Sequence, residues 1–192
     1  MGACIDLGLI QQTFMFVRHG QTDWNRNNLA MGQTDVPLNR QGTLEAQDLA
    51  QVLSKHEIKL ICHSPLSRAA STAHILGRHL DLPTLEIKAL SQCNWGSMQG
   101  HPRGDESWRM AWRRGELQID GAETFNEFAH RVCGGVNQAL SYGIPVLIVA
   151  HGATFAAIQR TLGLPDRELR NCAPLQYLPP QIVGGEWQQL EL

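Results

Sequence analysis

Residues 13–25 read Thr13-Phe14-Met15-Phe16-Val17-Arg18-His19-Gly20-Gln21-Thr22-Asp23-Trp24-Asn25. An uninterrupted apolar run leads straight into a cation, an imidazole and a glycine. The run predicts a strand buried on both faces, because polar residues do not alternate with apolar ones. Its carboxyl end then brings Arg18, His19 and Gly20 to one point. A second stretch repeats the layout: Pro145-Val146-Leu147-Ile148-Val149-Ala150 runs into His151-Gly152.

Around these two stretches, apolar runs alternate with amphipathic ones. Helices are expected over 42–55, 67–80, 123–140 and 153–162. In the first, Ala46, Leu49, Ala50 and Leu53 share a side; in the third, Phe125, Phe128, Ala129, Val132, Val136 and Leu140 form one face. Gly134 and Gly135 count against that third helix locally. Further strands are expected over 58–62 and 84–88, with one or two edge strands after residue 173, one of them near 187–190. Such alternation predicts an α/β fold: a mainly parallel sheet with helices on both faces. Ligands bind beyond the carboxyl ends of strands in such sheets. His19 and His151, far apart in sequence, are therefore expected to share a pocket.

The chain has 192 residues, 43% hydrophobic and 18% charged, which fits one domain with a full core. Residues 1–12 read as an N-terminal extension. They lack the basic start of a secretory signal, and Asp6 stands where an acylated Met-Gly start would carry a hydroxyl. Residues 99–121 break the strand–helix rhythm with Pro102, Gly104, Gly115, Trp108, Trp112, Arg103, Arg109, Arg113 and Arg114. This inserted segment is either a cap over the site or a surface helix packed through Trp108 and Trp112, four residues apart. A net charge of −2 argues against nucleic acid as a partner. No apolar stretch is long enough to span a membrane. The cysteines Cys4, Cys62, Cys93, Cys133 and Cys172 are scattered, which reads as free thiols in a reducing, cytoplasmic setting.

Arginine, histidine and glycine at a strand end suit attack of an imidazole on a phosphoryl group. Three further stretches agree. Ser64-Pro65-Leu66-Ser67-Arg68-Ala69-Ala70-Ser71-Thr72-Ala73 follows a strand and opens a helix, which puts Arg68 and free backbone N–H groups where an oxyanion could sit. Val149-Ala150-His151-Gly152-Ala153-Thr154 places a second imidazole, and Gly121-Ala122-Glu123-Thr124 precedes the long helix. In this order and spacing the set resembles the histidine phosphatase superfamily, which includes cofactor-dependent phosphoglycerate mutases and broad-specificity phosphatases. The resemblance covers about residues 14–161.

That resemblance implies a three-layer α/β/α sandwich and a metal-independent phosphatase without a cofactor. His19 would be the nucleophile and carry the phosphoryl group. Arg18 and Arg68 would clamp its oxygens, Asn25 would donate to a third oxygen, and a protonated His151 would add positive charge. Gly20 would let the backbone turn beneath His19 and accept from its ring; Gly152 would line the pocket beside His151. Of the remaining histidines, His63 and His101 are expected to line it too. The substrate would be a phosphorylated small molecule or a phosphoprotein; oligomeric state is not legible.

One position departs from the family. Its usual pattern Leu-x-Glu-x-x-x-Gly-x-x-x-Gly corresponds here to Leu90-Ser91-Gln92-Cys93-Asn94-Trp95-Gly96-Ser97-Met98-Gln99-Gly100. Gln92 replaces the carboxylate, and an amide cannot protonate a leaving oxygen. Another carboxylate could serve, with Asp23, Asp105, Glu106 and Glu123 as the candidates. The substrate could instead have a good leaving group, or the protein could bind phosphorylated ligands with little turnover. The short chain and the missing acid disfavour a mutase.

Overall fold

A computed structural model describes residues 8–105, 107–182 and 184–192. Residues 1–7 of the expected extension, with Cys4 and Asp6, and the candidate acid Glu106 lie outside the described residues. Helices are numbered α1–α6 and strands β1–β6 in chain order.

The sheet has six strands in the order β3-β2-β4-β1-β5-β6. Strands β1 (Phe14–Arg18), β2 (Leu60–His63), β3 (Thr84–Glu86) and β4 (Val146–Ala150) are mutually parallel where they pair. Strands β5 (Pro174–Leu178) and β6 (Gln188–Glu191) extend the sheet antiparallel at one edge. The mainly parallel sheet is as expected, and the tail supplies two strands, of which β6 is an edge and β5 lies inside the sheet.

Successive side chains of a strand point to opposite faces, and β1 uses this to build two cores. Phe14 and Phe16 join Cys62, Ile148, Phe128, Val132 and Phe155 on one face. Met15 and Val17 join Ile61, Leu147, Val149, Leu49, Leu53 and Leu76 on the other. Helices α2 (Arg40–Leu53) and α3 (Ser67–Leu80) cover the second face; α5 (Phe125–Leu140) and α6 (Gly152–Thr161) cover the first. This is the expected α/β/α sandwich. Each fully buried large apolar side chain contributes about 1.5–3 kcal/mol, so β1 and β4 are anchored from both sides.

Local chemistry sets the element ends. Asn39 caps α2 by accepting from the Gly42 N–H at 2.9 Å, so that helix starts before Gly42. Thr124 and Glu127 form a reciprocal capping box, which starts α5 at Phe125 and leaves Glu123 outside it. Gly135 survives in that helix because an added Cβ would lie 3.0 Å from the Ala89 Cβ; a larger residue would push the neighbouring turn away. The expected strand over 84–88 is shorter. The chain turns into a 3-10 helix at Lys88–Leu90, which buries Ile87 and Leu90. A four-residue helix α1 (Asp23–Arg26), capped by Thr22, has no counterpart in the sequence reading; four residues are too few for a helical period to show.

Residues 99–121 contain α4 (Ser107–Arg114), a helix packed on the domain through its tryptophans. Trp112 is buried, with its ring 4.4 Å from Trp95, 5.0 Å from Phe125 and 6.0 Å from Phe128. Its indole N–H donates to the Glu123 carbonyl at 2.8 Å. Trp108 meets Trp95 edge-on at 5.2 Å. While this aromatic face holds the segment down, its arginines reach the cavity described next. No described helix is long and apolar enough to cross a membrane.

Candidate active site

The site forms at the carboxyl edge of the three neighbouring strands β2, β4 and β1. Val149 is level with His63 and Ala150 with Arg18. One residue further on, His19 is level with His151 and Ser64 with Ala150, so all three gather at neighbouring strand ends with β4 in the middle. Main-chain bonds fix this order: His19 N–H donates to the Ala150 carbonyl at 2.9 Å, and Ser64 N–H to the Val149 carbonyl at 3.2 Å. All three side chains are buried.

His19 is held on several sides. Its Nδ1 lies 2.7 Å from the Gly20 carbonyl. A carbonyl only accepts, so Nδ1 carries the hydrogen and Nε2 keeps its lone pair. Gly20 is itself fixed by its N–H donating to Thr72 Oγ1 at 3.1 Å, and Thr72 donates to the Arg68 carbonyl at 2.7 Å. Gly20 is required by close approach: a Cβ there would meet the Gly42 carbonyl oxygen at 2.4 Å. Burial, with the Arg68 and Arg18 charges, pushes the His19 imidazole well below its ordinary value. It is therefore neutral at physiological pH.

His151 packs edge-on against His19 with ring centres 5.2 Å apart. Its Nε2 lies 2.8 Å from Ser64 Oγ. Burial pushes its titration down, helped by Arg68, His19 and Arg18. Arg18 extends Nη1 to the Leu169 carbonyl at 2.8 Å.

Arg68 departs from the expected fork on a ligand. Its Nη2 and Nη1 donate to the Gly32 and Thr34 carbonyls at 2.8 and 3.1 Å. Nε is the donor left without a partner among the described residues. Burial lowers Arg68 to about 10, with Asp35 partly offsetting that, so it stays cationic near neutrality. The expected free N–H groups of α3 are also partly used, because Asp35 accepts from Ser67 N–H at 2.8 Å. Helix α6 keeps its first turn: His151 is its N-cap without a side-chain cap bond, and Gly152 and Ala153 line the cavity. Such a terminus attracts anions.

Asn25 combines two roles. Its Oδ1 accepts from the Thr22 N–H at 3.1 Å as part of a capping box. Its Nδ2 is buried with no partner among the described residues, so one donor remains.

The cavity, about 50 Å³, is lined by Arg18, His19, Gln92, Trp95, Gly152 and Glu168, among others. Arg103, Arg109 and Arg113 from the inserted segment also reach it. Gln92 is thus brought to the cavity, with Oε1 accepting from Cys93 N–H at 2.9 Å. His63 and His101 are not among the lining residues, a correction to the sequence reading; His151, Arg68 and Asn25 are not among them either, but His151 packs on the lining residue His19. His63 Nδ1 donates to the Ser64 carbonyl at 2.9 Å, and its ring meets His74 at 5.2 Å. His101 is exposed.

The candidate acids fare differently. Glu123 is tied to Arg131 at 2.8 Å and accepts from Asn94 N–H at 2.8 Å. Asp23 is exposed and pairs with Arg26 at 3.2 Å; Asp105 caps Ser107 N–H at 3.1 Å. The carboxylate among the described lining residues is Glu168, on the linker between α6 and β5. That linker escaped the sequence reading. It also supplies Asn171, whose Nδ2 donates to the His19 carbonyl at 2.6 Å.

A mainly parallel α/β sheet thus carries two buried imidazoles and two arginines at the carboxyl ends of its central strands. The family model of the histidine phosphatase superfamily (branch 1) matches residues 14–178, and the chain belongs to that superfamily. Among its relatives is the uncharacterized phosphatase PhoE of Bacillus subtilis, 35% identical over 81% of this chain and 79% of that protein. A glucosyl-3-phosphoglycerate phosphatase of Mycolicibacterium vanbaalenii is 34% identical, covering 79% of this chain and 74% of its own. The solved structure of a mycobacterial glucosyl-3-phosphoglycerate phosphatase with VO3 superposes with a TM-score of 0.77 at 28% identity, covering 93% of this chain and 97% of that one.

Proposed function

We propose that this protein is a metal-independent phosphatase that hydrolyses phosphate monoesters of small molecules through a phosphohistidine on His19. The observation that carries this reading is the pinned ring: Nδ1 donates to the Gly20 carbonyl, so Nε2 holds a lone pair next to Arg18, Arg68 and His151. Nε2 attacks phosphorus, the bond to the ester oxygen breaks, and that oxygen takes a proton from a water molecule, leaving a hydroxide that neutralises the proton given up by the water of the next step. Water then attacks the phosphohistidine, releasing inorganic phosphate and restoring His19. Arg18, the free Nε of Arg68, Asn25 Nδ2 and the Gly152 N–H are the donors available to the phosphoryl oxygens. Each such fixed donor is typically worth about 10²–10³ in rate. The arginines bring the positive charge that a metal would otherwise supply.

Arg103 and Arg109 at the cavity wall favour an anionic substrate, while Arg113 is paired with Asp166. Expected results are hydrolysis of an aryl phosphate in the presence of a chelator, inhibition by vanadate, and loss of turnover in His19→Ala. Normal turnover by that variant refutes the reading.

Gln92 supports a second reading, a phospholigand-binding protein with little turnover. It predicts saturable vanadate binding with negligible hydrolysis across a panel of phosphates; fast hydrolysis of any one of them removes it. A mutase is disfavoured by the same residue, and an isomerisation assay tests it directly.

A further inference from the structure

We infer that Ser64 is a positioning residue that selects which nitrogen of His151 carries the hydrogen, making Nδ1–H a donor to the phosphoryl group. This rests on the proposed phosphatase reading for its consequence, though not for its geometry.

Ser64 directly follows β2 as His151 follows β4, so strand pairing places them together. Ser64 Oγ lies 2.8 Å from His151 Nε2. It also accepts from the Leu66 N–H at 3.3 Å. Both Ser64 and His151 are fully buried. His151 Nδ1 is buried with no partner among the described residues.

A neutral imidazole here has two arrangements. If Nε2 carried the hydrogen, it would donate to Ser64, and the serine hydrogen would be stranded in a dry site. Nδ1 would then present a bare lone pair, which repels phosphoryl oxygens. If Nδ1 carries the hydrogen, the Ser64 hydroxyl donates to Nε2 and accepts from Leu66. Every group around Ser64 is then satisfied, and a buried polar group without a partner is avoided. The hydrogen on Nδ1 has no partner among the described residues, and beside the His19 ring at 5.2 Å it is available to an oxygen of the group that His19 receives. Burial and the neighbouring cations keep His151 neutral in the free protein, so its tautomer, rather than its charge, is what Ser64 decides.

The test reads the tautomer without needing a substrate. Long-range nitrogen–hydrogen NMR on histidine-labelled full-length protein, assigned against a His151→Asn variant, is expected to show a pyrrole-type Nδ1 and a pyridine-type Nε2 for His151. A protonated Nε2 in the wild type overturns the inference, whatever the activity. Ser64→Ala is expected to shift the tautomer and to lower kcat on an aryl phosphate roughly 10-fold or more, a fraction of one oxyanion donor. KM should stay near wild type, while vanadate binding should weaken by a factor similar to the loss in kcat. Ser64→Thr, which keeps the hydroxyl, should restore both signal and rate. An unchanged tautomer in Ser64→Ala overturns the inference. Absence of turnover in every variant would instead remove the phosphatase reading, leaving the tautomer result standing.

Discussion

Replacing Gln92 by glutamate should restore a missing proton donor. Gln92 lines the same cavity as His19, and its Oε1 is held by the Cys93 N–H. Glutamate is nearly isosteric, so one carboxyl oxygen keeps that bond and the other takes the place of the amide nitrogen. A positioned general acid is worth about 10²–10⁴ in rate. Two effects set where in that range the variant falls. Arg18, Arg103 and Arg109 line the cavity and favour the ionised carboxyl, which is useless as a donor. The incoming dianion favours the protonated form. The low end is therefore expected: about 10²-fold in kcat on an alkyl phosphate, or about 2.7 kcal/mol of barrier. An aryl phosphate such as p-nitrophenyl phosphate, whose leaving oxygen needs no proton, should be nearly unaffected. Steady-state kinetics on both esters, with thermal melts to confirm equal folding, give the comparison. Equal changes on the two substrates would refute the reasoning and direct attention to Glu168, the described carboxylate of the cavity wall.

Trp112→Ala should cost about 3–5 kcal/mol, because three aromatic rings close around that side chain. It should also raise KM, since the segment bearing Arg103, Arg109 and Arg113 loses its anchor; a melting temperature and KM equal to wild type would contradict this. Stability should also fall in acid. His19 and His151 titrate well below 6.5 when folded and near it when unfolded. The unfolded chain therefore gains protons first, and stability that is full above pH 6.5 declines below it, by up to about 2.7 kcal/mol per pH unit for two imidazoles. Denaturant unfolding at several pH values checks this, and a flat profile from pH 7 to 5 would show that the two rings are not buried neutral.

Both imidazoles were legible in the sequence because each ends an apolar run, and parallel pairing carries such ends to one edge. The arginine and asparagine assignments were legible only as positions. Arg68 spends two of its donors on the Gly32 and Thr34 carbonyls, a choice made by a loop with no period to read. Asn25 was read as a ligand donor, and the structure adds a capping role on its Oδ1. His63 could not be told from a pocket residue by its place at the end of β2; a strand sends alternate side chains to opposite faces, and the residue that turns toward His151 is Ser64. The linker carrying Glu168, Leu169 and Asn171 has neither helical nor strand pattern. It arrives at His19 because β5 pairs antiparallel with β1, a long-range contact that composition does not encode.

The nucleophilic role of His19 is open to direct chemical capture. Rapid quenching of the protein with a labelled aryl phosphate, followed by alkaline digestion and mass spectrometry, should place an acid-labile, base-stable phosphoryl group on the peptide containing His19. It should form and decay at rates compatible with turnover and be absent from His19→Ala. Turnover without any such adduct, or an adduct on another residue, would contradict the account.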